Sequence, residues 1–174
     1  MKEKGFIHVY TGNGKGKSTA AFGLALRAAG AGMRVYIGQY MKTGVYHEIK
    51  TFREHLPMIN LEQYGNGCLI EKEGPNEADY TAARTGLEKS RSALTGGMYD
   101  IVIFDEIIVT AYLGLIEEQD IIDLIEAKPE GVELVLTGRY AKQGITERAD
   151  LVTEMLEVKH YYTQGVPARD GIEK

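Results

Sequence analysis

Short apolar segments alternate with longer segments of helical periodicity along most of the chain. The apolar segments are rich in Val, Ile, Leu and Tyr and are bounded by Gly, Pro and Asn, which is typical of buried strands. We predict strands at residues 6–10, 35–37, 59–64, 101–104, 134–136 and 151–158. Because they alternate with helices, we predict an α/β fold of about six mostly parallel strands flanked by helices, with ligands bound at the carboxyl ends of the strands.

The intervening segments predict helices at residues 18–31, 47–56, 77–94, 117–127 and 143–149. Asn76 is the expected N-cap of the third helix. Segment 107–116 is almost continuously apolar, and we expect it in the core or at a subunit interface, with the wall of a hydrophobic substrate pocket as the alternative. No tandem repeat or linker interrupts the pattern, so we predict one domain over residues 1–174.

Composition and charge narrow the function classes. The chain has 174 residues, 44% apolar and 26% charged, which excludes a disordered or membrane-embedded protein. Its formal net charge of -5 disfavours binding to nucleic acid or to a membrane surface. The first residues lack the apolar core of a signal peptide, and the single cysteine, Cys68, has no internal partner. We therefore expect a cytoplasmic location.

The segment Thr11-Gly12-Asn13-Gly14-Lys15-Gly16-Lys17-Ser18 lies between the first predicted strand and the first predicted helix. It matches a phosphate-binding P-loop in which Thr11 replaces the usual opening glycine. Its glycines let backbone N–H groups approach phosphate oxygens, and the following helix adds the positive end of its dipole. We expect Lys17 to supply a cation and Ser18 a hydroxyl for Mg²⁺. Lys15 is either a further polyphosphate contact or a solvated loop lysine.

Two more candidate groups follow predicted strands. Asp105 and Glu106 come directly after strand 101–104, where P-loop proteins place the acid that holds Mg²⁺, and either carboxylate satisfies that requirement. Arg139 follows strand 134–136 and is either a phosphate contact or a surface arginine. The histidines show no metal-ligand spacing, so a zinc site is not expected. No Asn-Lys-x-Asp segment and no arginine-dense lid is present, which argues against a GTPase and a small nucleotide kinase.

The chain resembles the ATP:corrinoid adenosyltransferases of the BtuR/CobA type, also called cob(I)yrinic acid a,c-diamide adenosyltransferases, over nearly its whole length. The matching residues beyond the P-loop are Ala20 to Ala28, Tyr99 to Glu106, Leu136 to Arg139, Ala149 to Met155, Val158 to His160 and Gly171 to Glu173. The resemblance implies a P-loop NTPase-like fold in which Co(I) of a corrinoid attacks C5′ of ATP and triphosphate leaves.

The resemblance also implies roles for individual residues. The triphosphate of ATP would be bound by Gly12, Asn13, Gly14, Lys15, Gly16, Lys17, Ser18 and Thr19, with Arg139 as a further candidate. Lys17 and Glu106 would be catalytic, and Ser18 with Asp105 or Glu106, preferably Glu106, would hold Mg²⁺ or Mn²⁺. The expected partners are ATP, a corrinoid, a reductant such as a flavoprotein, and a second copy of the chain in a homodimer.

This chain departs from the family pattern in the loop after the third strand. Cys68-Leu69-Ile70 follows Gly67 where the family usually has Gly-Phe-Thr-Trp, so two aromatic side chains that help to displace the lower base of the corrinoid are missing. We expect a preference for corrinoids without a tightly held lower base. The departure also leaves an alternative function open, an ATP- or corrinoid-binding regulatory module of the same fold without transferase activity.

Overall fold

A single parallel sheet organises the computed structural model, which describes residues 4–44, 46–66 and 74–173. The strands are β1 (Ile7–Thr11), β2 (Val35–Tyr40), β3 (Ile59–Tyr64), β4 (Ile101–Asp105), β5 (Glu133–Thr137) and β6 (Leu151–Glu154). Their order across the sheet is β3-β2-β4-β5-β1-β6, and every pairing is parallel. The predicted α/β fold with about six parallel strands flanked by helices is confirmed.

The helices cover both faces of this sheet. They are α1 (Lys17–Gly30), α2 (His47–His55), α3 (Glu77–Thr95), α4 (Ile107–Tyr112), α5 (Glu118–Glu126) and α6 (Gln143–Thr146), with a 3₁₀ helix at Tyr161–Gln164. Residues of α1 and α2 pack on one face, and residues of α3, α4, α5 and α6 pack on the other. Among the described residues, no helix has the length and apolar character needed to cross a membrane.

Alternation along the strands produces these two cores. In β2, Tyr36 and Tyr40 join the core beneath α3 to α6, whereas Val35 and Ile37 join the core beneath α1 and α2. All six residues of β2 are buried, as expected for a strand covered on both faces. The predicted N-cap of α3 is confirmed: the Asn76 side chain accepts hydrogen bonds from the backbone N–H groups of Ala78 and Asp79.

Several predicted boundaries were wrong. The strand predicted at 151–158 ends at Glu154, because Met155 accepts a hydrogen bond from Gly14 N–H and the chain then leaves the sheet. The strand predicted at 35–37 extends to Tyr40, because Gln39 finds a buried hydrogen-bond partner there. The helix predicted at 143–149 ends at Thr146.

Segment 107–116 supplies core residues, as expected, and its first six residues form helix α4, which the sequence analysis did not predict. Ile107, Ile108, Leu115 and Ile116 are buried in the core. The extent of the domain, residues 1–174, stays a prediction.

Candidate active site

A cleft of about 490 Å³ opens where β1, β4 and β5 end, at the edge at which parallel sheets bind ligands. Its volume is in the range of small-molecule sites. It is lined by Asn13, Gly14, Lys15, Gly16, Lys17, Ser18, Thr19, Phe22, Lys42, His47, Glu48, Glu106, Arg139, His160, Gly171, Ile172 and Glu173. The cleft therefore contains most of the residues that the P-loop, the acidic pair and the resemblance identified.

The loop between β1 and α1 has little room for side chains on its glycines. Gly12 and Gly16 have φ angles of 92° and 126°, in the region that favours glycine. A Cβ on Gly12 would lie 2.4 Å from the carbonyl oxygen of Met155, and one on Gly14 would lie 2.7 Å from that of Leu156. The absence of side chains on these glycines therefore lets residues 155–156 pack against one side of the loop. The other side of the loop faces the cleft.

Lys17 is buried at the start of α1. Its Nζ donates hydrogen bonds to the carbonyl oxygens of Gly12 and Gly14, at 2.7 and 2.8 Å. An ammonium group has three donors, so one remains for a ligand in the cleft. Burial lowers the pKa of Lys17, and the nearby carboxylate of Glu106 opposes that change.

Asp105 is fully buried at the end of β4 and does not line the cleft. Its Oδ1 accepts a hydrogen bond from the hydroxyl of Thr137 at 2.7 Å. Its Oδ2 accepts one from Nε2 of Gln39 at 3.1 Å and lies 3.6 Å from Nζ of Lys42. Gln63 in turn donates to Gln39, so the carboxylate is the centre of a polar network that joins four strands.

Glu106 is the next residue and has a different environment. It adopts a left-handed backbone conformation with φ of 63°, and its N–H donates to the hydroxyl of Thr137. A non-glycine residue in this conformation carries strain of about 1–3 kcal/mol, which is common at functional sites. Its side chain lines the cleft. Burial, and secondarily the charge of Asp105, raise the pKa of Glu106, while Lys42, Lys17 and Arg139 oppose the rise.

The C-terminal segment, residues 160–173, forms one wall of the cleft. Nζ of Lys15 lies 3.1 Å from Oε1 of Glu173, 3.1 Å from the carbonyl oxygen of Ile172 and 3.4 Å from the hydroxyl of Tyr161. Glu173 also accepts hydrogen bonds from Arg169 and Tyr161. The hydrogen bonds from Arg169 above all, and then those from Tyr161 and Lys15, hold the pKa of Glu173 well below its usual range.

The structure brings most of the predicted site residues together. Asn13, Gly14, Lys15, Gly16, Lys17, Ser18, Thr19, Glu106 and Arg139 line one cleft, whereas Gly12 and Asp105 lie behind it. The loop Cys68-Leu69-Ile70 lies outside the described residues. Within the described part of the chain, no group of three His, Cys, Asp or Glu side chains forms a metal cluster.

The sequence did not indicate that a second set of residues lies at the cleft or supports its acidic pair. They are Gln39, Lys42, His47, Glu48, Gln63, His160 and the residues of the C-terminal wall. Gln39 and Gln63 are each the penultimate residue of a parallel strand, and a polar side chain at the carboxyl end of a strand was the available signal. Nothing in the local sequence indicates that residues 171–173 return to the P-loop.

The chain is similar to known proteins over nearly its whole length. The family described as ATP:corrinoid adenosyltransferase BtuR/CobO/CobP matches residues 3–173. The corrinoid adenosyltransferase CobA of Salmonella typhimurium is 33% identical over 99% of this chain and 87% of its own length. An uncharacterized protein of Nostoc sp. is 34% identical over 96% of this chain, which spans 47% of that longer protein. A KaiC-like protein of Pyrococcus horikoshii OT3 has a similar structure, with a TM-score of 0.55 at 18% identity over 87% of this chain and 73% of its own, and it shows the fold alone.

Proposed function

The chain belongs to the ATP:corrinoid adenosyltransferase family BtuR/CobO/CobP, and from that premise we propose that it transfers the 5′-deoxyadenosyl group of ATP to Co(I) of a corrinoid. The main support for the proposal is that a P-loop, a buried lysine and a carboxylate on a strained backbone line the same cleft. Such a site is suited to binding a polyphosphate.

The proposed reaction is a displacement at carbon. The electron pair of Co(I) forms the Co–C5′ bond, and the electrons of the C5′–O bond leave with triphosphate. No proton has to be removed from the nucleophile, so a general base is not required. What the protein must supply is alignment of C5′ with cobalt and stabilisation of the negative charge on the leaving group.

Residues of the described site can provide that stabilisation. The remaining N–H donor of Lys17 and the backbone N–H groups of residues 15–18 lie at the cleft and can donate to phosphate oxygens, whereas the N–H group of Gly14 is already bonded to Met155. Arg139 is exposed at the same cleft and can approach the phosphates from the β5 side. Because these donors are already positioned, little reorganisation is needed as charge develops.

The donor set fits a magnesium ion. Oxygen ligands suit Mg²⁺, and here the hydroxyl of Ser18 and the carboxylate of Glu106 line the same cleft. Asp105 is behind Glu106 and fully hydrogen-bonded, so we assign the direct contact to Glu106 and an orienting role to Asp105. When bound, Mg²⁺, or Mn²⁺ in its place, would neutralise charge on the triphosphate.

Several finer expectations belong to the same proposal. A cytoplasmic location, a homodimer and a reductant such as a flavoprotein stay predictions from the family resemblance and the composition. The preference for corrinoids without a tightly held lower base also stays a prediction, because it concerns Cys68-Leu69-Ile70.

The proposal is tested by anaerobic mixing of the protein with ATP, Mg²⁺ and chemically reduced cob(I)alamin or cob(I)inamide. We expect a light-sensitive alkylcorrinoid in the visible spectrum and one triphosphate for each corrinoid converted. Glu106→Gln should slow the reaction, while Glu118→Gln, a glutamate outside the cleft, serves as the matched control. ADP and phosphate as the only products would contradict transfer, and so would ATP or corrinoid binding without any product.

A further inference from the structure

The ammonium group of Lys15, in the P-loop, contacts residues near the other end of the chain. Three acceptors of the C-terminal segment, on Tyr161, Ile172 and Glu173, lie within 3.4 Å of Nζ. An ammonium group has three N–H donors. With the segment in this position, Lys15 has no donor left for a phosphate oxygen, in contrast to Lys17.

Glu173 is arranged to hold this contact in place. Its carboxylate accepts hydrogen bonds from both Nε and Nη2 of Arg169, each at 3.2 Å, which is the two-point geometry that fixes an Arg–carboxylate pair. The hydroxyl of Tyr161 donates to the same carboxylate, and the guanidinium carbon of Arg169 lies 5.0 Å from the centre of the Tyr161 ring. Hydrogen bonds from Arg169 and Tyr161 therefore fix the position of Glu173, and Glu173 in turn fixes the ammonium group of Lys15.

The wall made by this segment differs in chemistry from the phosphate side of the cleft. It presents the exposed side chain of Ile172, the backbone of Gly171 and the ring of His160. Glu173, at 3.1 Å, offsets part of the charge of Lys15, and the same carboxylate also pairs with Arg169. An apolar and planar surface beside a lysine whose donors are already engaged suits an uncharged nucleoside better than a polyanion.

We propose that Glu173 is a positioning residue for ATP: through Lys15 it fixes residues 171–173 as the wall that contacts the nucleoside, and Lys15 is an anchor of that wall instead of a phosphate ligand. The inference rests on the proposed function, since it assigns the nucleoside end of the same ATP site. It assigns different roles to the two P-loop lysines: Lys17 binds the triphosphate, and Lys15 anchors the wall.

The test compares two probes, ATP and inorganic tripolyphosphate, in binding titrations of the full chain with Mg²⁺. Tripolyphosphate retains the phosphate contacts and lacks the nucleoside. Lys15→Met and Glu173→Gln are each expected to weaken ATP binding about tenfold, the scale of one coupled interaction, and to leave tripolyphosphate binding no weaker. The double variant should bind ATP no worse than either single variant, because both changes release the same wall.

Matched variants control for charge and for folding. Lys142→Met and Glu118→Gln remove an ion pair of similar length, 3.2 Å, that does not line the cleft, and they should leave both affinities unchanged. Tyr161→Phe deletes only the hydroxyl that contacts Lys15 and Glu173 and should weaken ATP binding in the same selective way. Thermal unfolding of each variant establishes that the fold is retained.

The binding titrations test the wall assignment independently of the transfer assay. Equal losses of ATP and tripolyphosphate affinity in Lys15→Met would identify Lys15 as a phosphate ligand and overturn the inference. Unchanged ATP binding in Glu173→Gln, or additive losses in the double variant, would overturn it as well. Because only binding is measured, these results are obtained whether or not the corrinoid reaction occurs, and absence of alkylcorrinoid with the wild-type chain would count against the proposed function alone.

Discussion

At the scale of single residues, the two neighbouring carboxylates at the end of β4 have different surroundings. Asp105 is inaccessible to solvent and its two oxygens interact with Thr137, Gln39 and Lys42. Glu106 lines the cleft and takes its position from a strained backbone conformation and from Thr137. Asp105 is thus suited to stabilising the fold, and Glu106 is suited to binding a ligand.

This difference predicts opposite effects of two substitutions. Asp105→Ala leaves buried donors without an acceptor and should lower the free energy of unfolding by about 1–3 kcal/mol. Glu106→Gln removes a buried charge beside Asp105, so it should not lower the free energy of unfolding and should instead weaken the binding of ATP in the presence of Mg²⁺. Urea unfolding and titration with ATP, with and without Mg²⁺, measure the two quantities. If both variants lose stability equally and bind Mg²⁺ and ATP alike, the assignment is wrong.

Lys17 provides a second prediction at this scale. Lys17→Ala removes a buried ammonium that faces the phosphate side of the cleft, and turnover should fall about 10²-fold or more, as for the loss of one preorganised electrostatic donor. Transfer rates under anaerobic conditions measure the effect, with the exposed Lys142→Ala as control. Near-normal turnover of Lys17→Ala would rule out the assigned role.

The site residues that the sequence predicted are those that a local sequence pattern marks. The P-loop is one continuous segment, and Asp105 and Glu106 follow a strand that its apolar run made evident. The contacts that sequence could not predict join distant segments: Gln39 to Asp105, 66 residues apart, and Lys15 to Glu173, 158 residues apart. Both depend on which strands and loops become neighbours, and no local pattern records this.

At the scale of elements, the same reasoning explains which boundaries were predicted correctly. Strand β3 and the N-cap of α3 depend on local apolar pattern and local hydrogen bonds, and both were predicted to the residue. Strand β6 was predicted four residues too long, because residues 155–158 keep an apolar pattern after the chain has left the sheet. Of these residues, Met155 and Leu156 pack behind the P-loop, which is a tertiary contact.

That packing predicts contrasting effects of alanine at two glycines of the first strand–loop–helix unit. Gly14→Ala places a Cβ 2.7 Å from the carbonyl oxygens of Met155 and Leu156, so the free energy of unfolding should fall by about 1–3 kcal/mol. Gly23→Ala, on the exposed side of α1 with no atom within 4 Å of its Cβ, should raise it by about 0.5–1 kcal/mol. Urea unfolding measures both, and equal effects would contradict the packing argument.

At the scale of the whole molecule, the cleft is assembled from the beginning, middle and end of the chain. The P-loop follows β1, Glu106 follows β4, Arg139 follows β5, and the C-terminal segment closes the remaining side. The parallel sheet makes this possible because it brings the carboxyl ends of these strands to one edge. Binding ATP should therefore stabilise contacts between segments that are far apart in sequence.

Transfer of the adenosyl group requires cleavage of the C5′–O bond of ATP, and the fate of the oxygen atom of that bond distinguishes this reaction from phosphoanhydride hydrolysis. ATP is labelled with ¹⁸O at the atom that bridges C5′ and the α-phosphorus and is incubated anaerobically with the protein, Mg²⁺ and a Co(I) corrinoid. We expect mass spectrometry to find the label in triphosphate and to find an adenosylated corrinoid without it. Label retained in ADP or AMP, with no adenosylated corrinoid formed, would rule out adenosyl transfer by this chain.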